Sequence, residues 1–171
     1  MSTNASSTLI GNHFGQVAWV VKDIVATERF FRETMGVPRF LKMENLRAQD
    51  LEGTYYGQPG NFEFHLYLTY SGETMLELIQ PVSGQSIYTA FLEKNGGNGI
   101  QHIAHMVPER ELEMATKELA GKGYPVVQTL NLPPARVAYF DTSAEIGVMT
   151  EIIGLTAAGY QLIEQVKSGN F

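Results

Sequence analysis

Polar and apolar positions alternate in the first recognisable element. In Gln16-Val-Ala-Trp-Val-Val21, Gln16, Ala18 and Val20 fall on one face of a strand and Val17, Trp19 and Val21 on the other. The period then changes. Ile24, Phe31 and Met35 recur at i, i+7 and i+11, which predicts one face of a helix. Gly36-Val-Pro38 ends that helix, since glycine suits the turn after a helix and proline cannot continue one. Asn61 to Tyr70, a turn at Ser71-Gly72 and Thr74 to Gln80 then read as a hairpin.

The second half repeats this order, and a repeat decides architecture before any motif does. His102-Ile-Ala-His-Met-Val107 predicts a strand, and Pro108-Glu109 suits the first turn of a helix. Leu112, Ala115 and Leu119 give that helix one apolar face, and Gly123-Tyr-Pro125 stops it. The halves close on matching strands, Met75-Leu-Glu77-Leu-Ile79 and Met149-Thr-Glu151-Ile-Ile153. Gly36 to Glu77 spans 41 residues against 28 from Gly123 to Glu151, so the first half carries 13 more. They are assigned to Asn45–Asn61, a polar stretch rich in Gly and Tyr that reads as a loop and as the place to look for selectivity. Each half is thus strand, helix, then two or three strands. The predicted organisation is a polar lead-in (1–13), a first module (14–82), a linker helix (83–97), a second module (98–154) and a C-terminal helix (155–171). In that last helix Tyr160, Ile163 and Val166 share a side, and its expected role is a packing lid or a dimer contact.

The alternation also singles out polar residues. If the first helix covers Val17, Trp19 and Val21, Gln16 faces the opposite, concave side, and His102, Ala104 and Met106 share the equivalent face in the second half. Leu76 and Leu78 belong to the helix side, which leaves Glu77 on the concave side between Met75 and Ile79; Glu151 lies likewise between Met149 and Ile153. Carboxylates flanked by apolar residues are costly unless something positive compensates them. No Lys or Arg stands at the matched positions, so a bound cation is the economical answer. Any one of these residues, taken singly, is more simply a solvent-facing or core position; their recurrence in two copies is what points to ligands. Gln16, Glu77, His102 and Glu151 offer an amide oxygen, an imidazole nitrogen and two carboxylates, a set of net charge −2 that suits Zn, Ni, Co or Mn as a divalent ion and leaves coordination sites open.

Other residues stay open at this stage. The direction of His65 depends on the length of the hairpin turn. His105 shares a face with Ile103 and Val107 and reads as a core histidine, while His13 reads as solvated. Arg136 and Lys94 are candidates for holding an anionic substrate, against the ordinary expectation that lone basic residues face water. Tyr55, Tyr56, Phe64, Tyr67 and Tyr139 are candidate aromatic walls or core.

Composition narrows the function classes. Of 171 residues 44% are hydrophobic and 18% charged, a balance that builds a core without staples. The absence of cysteine excludes disulfides, thiolate ligands and a cysteine nucleophile. Net charge is −6 with basic residues scattered singly, which argues against nucleic acid as a partner. Apolar runs are strand-sized, well short of the ~20 residues that span a bilayer, and Met1–Asn12 lacks the pattern of a signal peptide. The expectation is a cytoplasmic protein without a membrane partner.

Four segments carry a resemblance: GQVAWVVKD from Gly15 to Asp23, LELIQP from Leu76 to Pro81, FLEKNGGNGIQHIAHMV from Phe91 to Val107, and GVMTEIIG from Gly147 to Gly154. Together they resemble the vicinal oxygen chelate superfamily, which includes glyoxalase I, methylmalonyl-CoA epimerase, extradiol dioxygenases and bleomycin- or fosfomycin-resistance proteins. The likeness covers roughly residues 14 to 154. It implies an α+β fold of two βαβββ modules with sheets curled around a metal cleft. It also implies ligands from the first and last strand of each module, hence Gln16, Glu77, His102 and Glu151.

In the linker and second module the pattern looks most like methylmalonyl-CoA epimerase, although Gln101 stands where that run has the first of two histidines. That family also favours histidine at the position of Gln16 and glutamine at that of Glu77. The ligand set looks instead like animal-type glyoxalase I, whose glutathione-anchoring residues are here replaced by Val20, Asn98 and Pro81. Gln16 in place of a histidine disfavours the extradiol dioxygenase and fosfomycin-resistance types.

What the resemblance and the paired glutamates imply is an isomerase or lyase that moves a proton alpha to a carbonyl. One divalent ion serves as Lewis acid, Glu151 as general base and Glu77 as the symmetric alternative or returning acid. The expected partner is a small carbonyl substrate, thioesters included, and a homodimer is expected. The alternative is a non-catalytic small-molecule binding protein of the bleomycin-resistance type.

Overall fold

The first strand, β1 (Phe14–Val20), runs into α1 (Ile24–Glu33), where the Asp23 carboxylate caps the helix by accepting a hydrogen bond from the Ala26 N–H. There follow β2 (Leu41–Arg47), two short strands β3 (Thr54–Tyr55) and β4 (Gln58–Pro59), and the hairpin of β5 (Glu63–Ser71) and β6 (Thr74–Ser83). Helix α2 (Ile87–Asn95) leads to β7 (Gly99–Pro108), α3 (Glu109–Gly121), β8 (Val126–Leu132), β9 (Ala135–Phe140), the single turn α4 (Ser143–Ile146), β10 (Met149–Leu155) and α5 (Ala157–Ser168). The structure, a computed structural model, describes residues 10–171, so most of the expected lead-in, 1–13, lies outside the described residues.

Among the described residues the strands form one mixed sheet in the order β2-β5-β6-β1-β7-β10-β9-β8-β3-β4. The βαβββ modules, α1 with β1, β2, β5 and β6, and α3 with β7 to β10, join where β1 pairs antiparallel with β7. Within each module the first and last strands pair in parallel, β1 with β6 and β7 with β10. The sheet curls, so that each face of a strand meets a different environment.

The convex face is covered by the two module helices. Ile24 and Phe31 of α1 pack on Val21, Tyr67, Leu76 and Leu78, with Trp19 edge-on to Phe31. Leu112, Ala115 and Leu119 of α3 pack on Val107, Ala138, Phe140 and Ile152. On the concave face Val20, Leu66, Leu68, Met75, Ile79, Ala104, Val137 and Ile153 form the largest apolar cluster.

Several local readings differ from this arrangement. α1 stops at Glu33 and Gly36 takes a positive φ of 70°, so Met35 lies past the helix and is exposed rather than on its buried face. The hairpin turns at Gly72-Glu73, because Ser71 pairs with Thr74 and Gly72 supplies the positive φ. Asn45–Asn61 is not simply a loop. It finishes β2 across a bulge at Asn45, makes a 3-10 turn at Ala48–Leu51, and places β3 beside β8 of the other module. Ala48 and Leu51 join the main apolar cluster, and the Thr54 and Thr129 hydroxyls bond at 2.7 Å. Polar composition concealed a strand that pairs outside its own half. On α5, Val166 is buried and Leu162 and Ile163 are half-buried, whereas Tyr160 is exposed, so the inward face is rotated from the Tyr160-Ile163-Val166 side. Among the described residues no helix is long and apolar enough to cross a membrane.

Candidate metal centre

The four central strands, β6-β1-β7-β10, each present one polar residue to the concave face: Glu77, Gln16, His102 and Glu151. Two alanines form the floor between them. Ala18 is the lateral partner of Glu77 on one side and of His102 on the other. Ala104 is the partner of Gln16 on one side and of Glu151 on the other. Lateral partners in a sheet point the same way, so each alanine leaves a gap into which two longer polar side chains lean. Both alanines are completely buried.

The convergence is tight. His102 Nε2 lies 3.1 Å from Glu77 Oε2 and 3.3 Å from Glu151 Oε2, and one ligand atom from each of the three residues falls within 4.8 Å of the others. Ligands held about 2.0–2.2 Å from one ion stand roughly 3.0–3.5 Å from their coordination neighbours. All four residues are at most 5% exposed. The decisive feature is which atoms lack partners: of the five buried side-chain atoms without a hydrogen bond among the described residues, four are Gln16 Oε1, Glu77 Oε2, His102 Nε2 and Glu151 Oε2, and the fifth is Gln128 Nε2. Buried polar atoms are nearly always satisfied. Four orphans, one on each residue and all lone-pair donors, have the composition to hold a divalent ion.

Electrostatics in the metal-free protein tell the same story. Burial pushes the Glu77 carboxyl up and Glu151 adds to this, against the lowering effects of His102 and the Gln16 amide. Burial by itself lowers His102, but the carboxylates of Glu151 and Glu77 outweigh it and raise the imidazole to about 9. A proton on His102 thus stands in for part of the missing positive charge.

The orientation of His102 depends on a residue that alternation alone does not reveal. Ala18 pairs with His102 but Trp19 pairs with Ile100, so Gln101 is the extra residue of a β-bulge. A bulge re-aims side chains, and here Gln101 and His102 turn toward each other, with His102 Nδ1 2.5 Å from Gln101 Oε1. An amide oxygen only accepts, so Nδ1 keeps a proton in either charge state, and Nε2 is the nitrogen that faces the carboxylates, with a proton when the imidazole is charged and with its lone pair when it is neutral. The Gln101 amide is itself oriented by its NH2, which donates to Met149 Sδ at 3.0 Å. Two adjacent polar residues in an otherwise alternating strand were the available sign of that bulge. Tyr139 stands edge-on to the His102 ring at 5.2 Å, and its hydroxyl meets that of Tyr88 at 2.9 Å. Burial raises both phenols well above their ordinary value, so they act here as neutral hydrogen-bonding groups.

Other candidates lie elsewhere. His65 sits on the helix side with Tyr67, and its Nδ1 accepts from the Asn45 N–H at 3.0 Å. His105 is half-buried, 2.8 Å from the Ile10 carbonyl. Arg136 lines a shallow depression beside α3. Lys94, Tyr55 and Tyr56 line a second cavity of about 320 Å³ behind Gln101.

Comparison with known proteins agrees with the architecture. A family model described as glyoxalase/bleomycin resistance protein/dioxygenase superfamily matches residues 15–139. No curated protein matches the sequence. Among solved structures, a hypothetical protein from Bacillus halodurans C-125 superposes with a TM-score of 0.63 at 22% identity, over 84% of this chain and 94% of its own. Methylmalonyl-CoA epimerase from Mycobacterium tuberculosis gives 0.63 at 17%, over 91% and 95% of the two chains. A variant of the Streptomyces coelicolor methylmalonyl-CoA epimerase, in complex with 2-nitronate-propionyl-CoA, gives 0.60 at 21%, over 85% and 98%. At these identities the likeness is one of fold.

Proposed function

The chain belongs to the glyoxalase/bleomycin resistance protein/dioxygenase superfamily, and on that premise we propose that it is a divalent-metal-dependent lyase or epimerase that moves a proton alpha to a carbonyl. The observation that carries this reading is the set of four buried, unpartnered donor atoms on Gln16, Glu77, His102 and Glu151. When bound there, a divalent ion (Zn, Ni, Co or Mn) supplies Lewis-acid stabilisation of the negative charge that develops on a carbonyl oxygen as the neighbouring carbon loses its proton.

The chain's own residues do the rest. Glu151 and Glu77 both border the adjoining apolar cavity from opposite modules, the one on β10 and the other on β6. A carbon acid seated there has a carboxylate on either side. In this reading Glu151 would be released from the ion to take the proton, and Glu77 would serve as the returning acid, to the same carbon or to its neighbour. Return to the same carbon is epimerisation; return to the neighbour is isomerisation. Gln101 keeps His102 in the tautomer whose Nε2 faces the site.

The test is elemental analysis of purified protein, followed by turnover assays on methylmalonyl-CoA, on methylglyoxal with and without thiols, and on short α-hydroxy ketones. About one equivalent of divalent metal is expected. Glu151→Gln is expected to cut turnover of the active substrate by about 100- to 10,000-fold, the usual contribution of a general base. Full turnover by that variant removes Glu151 from the mechanism, and protein that takes up no metal removes the reading.

A further inference from the structure

The concave face of the sheet does not open freely to solvent, because the last helix lies across it. α5 leaves the second module and crosses to the first. At its start, Thr156 donates to the Pro134 carbonyl in the β8–β9 turn, and Gly159 packs so close to that carbonyl that an added Cβ would fall 2.3 Å from it. At its far end Lys167 pairs with Glu73 of the β5–β6 turn at 3.0 Å and lies over the Tyr70 ring. Beyond it, Arg39 donates to the Gly169 carbonyl at 2.6 Å and also to that of Phe171, and stacks on the Phe171 ring. The helix is therefore fastened to both modules.

Its inward residues, Leu162, Ile163 and Val166, line a cavity of about 80 Å³ whose polar end is formed by Gln16, Glu77, Glu151 and Tyr139. The other walls are aliphatic or methionine side chains, among them Met43, Leu68, Met75 and Ile153. Among the described residues no Lys or Arg lines this cavity. A dry apolar cavity of roughly 150 Å³ accepts benzene, so this one admits a body of only a few carbon atoms. Glu77 and Glu151 together already balance a divalent ion, so a carboxylate or phosphate placed beside them would add negative charge for which the cavity wall offers no further cation.

We infer that α5 is a wall of the substrate site, restricts it to small, uncharged, aliphatic compounds and excludes acyl-CoA thioesters. This rests on the metal reading proposed above. Ile163 faces the cavity without being fully buried, so its size sets the depth of the site with modest consequence for folding.

The experiment uses the full chain loaded with Co2+, whose visible absorption reports ligands entering the coordination sphere. Acetohydroxamate serves as a small neutral two-oxygen probe, benzohydroxamate as its bulky counterpart, and methylmalonyl-CoA as the thioester. Expected for the wild type is a spectral change with acetohydroxamate at least about 10-fold tighter than with benzohydroxamate, the scale on which apolar pockets discriminate, and none with methylmalonyl-CoA at the same concentrations. Ile163→Ala should bring the two hydroxamates within about 3-fold of each other, with Leu162→Ala as a second enlargement. Ile163→Phe should abolish acetohydroxamate binding and leave Co2+ affinity unchanged. Equal binding of all three probes to the wild type, or a preference untouched by enlargement of α5, overturns the inference while leaving the metal reading intact. Failure to bind Co2+ at all overturns the metal reading and this inference with it.

Discussion

Glu28 and the pair Glu77 and Glu151 are all buried carboxylates, yet the protein treats them oppositely. Glu28 on α1 is 4% exposed and has its own cations, Arg32 at 3.4 Å and Lys42 at 3.6 Å, whose charged ends reach solvent. Glu77 and Glu151 are as deeply buried and share one imidazole, with an unpartnered oxygen on each. Burying a charge is tolerable once it is paired. The convex side of the sheet meets that condition from within the sequence, while the concave side leaves it to something outside the chain. A deficit of positive charge at one place and not at the other is the physical basis of the proposed metal site.

Removing the nitrogen gives the largest break in that comparison. His102→Ala should lower divalent-metal affinity by more than about 100-fold, since loss of an outer-shell partner alone costs 10- to 100-fold. It should also destabilise the metal-free protein by about 3–5 kcal/mol by leaving two buried carboxylates without a counter-charge. Metal titration and thermal unfolding with chelator measure the two effects.

The dependence on pH comes next. In the metal-free protein His102 is raised to about 9 from an unfolded value of 6.5. The folded state therefore binds the proton more tightly, and the stabilisation is fully present below pH 6.5 and lost as pH rises through about 9. Its order of magnitude is about 3 kcal/mol. With metal bound the sign reverses at the acid end, because protons compete for the ligands and affinity falls as pH drops. Urea unfolding across pH 6 to 10, with and without metal, should give curves of opposite slope; parallel curves would mean that His102 is not shared by proton and metal.

Gln101→Ala should weaken metal binding by about 10- to 100-fold while leaving the fold intact, because it frees the His102 ring and its tautomer. Gln101→Glu, which can still accept from Nδ1, should recover most of that affinity; competition against a chromogenic chelator reads both. The smallest effect is expected at the other carboxylate. Glu28→Gln should change stability by less than about 1 kcal/mol and metal affinity not at all, since its ion pairs end in solvent.

Much of the architecture was legible because period and recurrence are local properties. Leu112, Ala115 and Leu119 were assigned to a buried helix face and are buried there. Alternation puts Gln16, Glu77, His102 and Glu151 on the concave side; the side chains of Glu77, His102 and Glu151 converge, and Gln16 borders the same cavity as the two glutamates. Met35 was misplaced because a glycine with positive φ ended the helix before it. The strand at Thr54-Tyr55 was invisible because its partner, β8, lies in the other half of the chain. Gln101 escaped because a bulge suspends the alternation on which the reading depended.

The duplicated modules, the faces of their strands and the four polar residues that share the concave side can all be read from spacing within single elements. The folded arrangement was needed to see that Gln101 holds His102, that Asn45–Asn61 reaches across to the far edge of the sheet, and that α5 walls the cavity beside Glu77 and Glu151. Those features arise from contacts between elements distant in the chain, and no local period encodes which distant surface a bulge, an insertion or a terminal helix will meet.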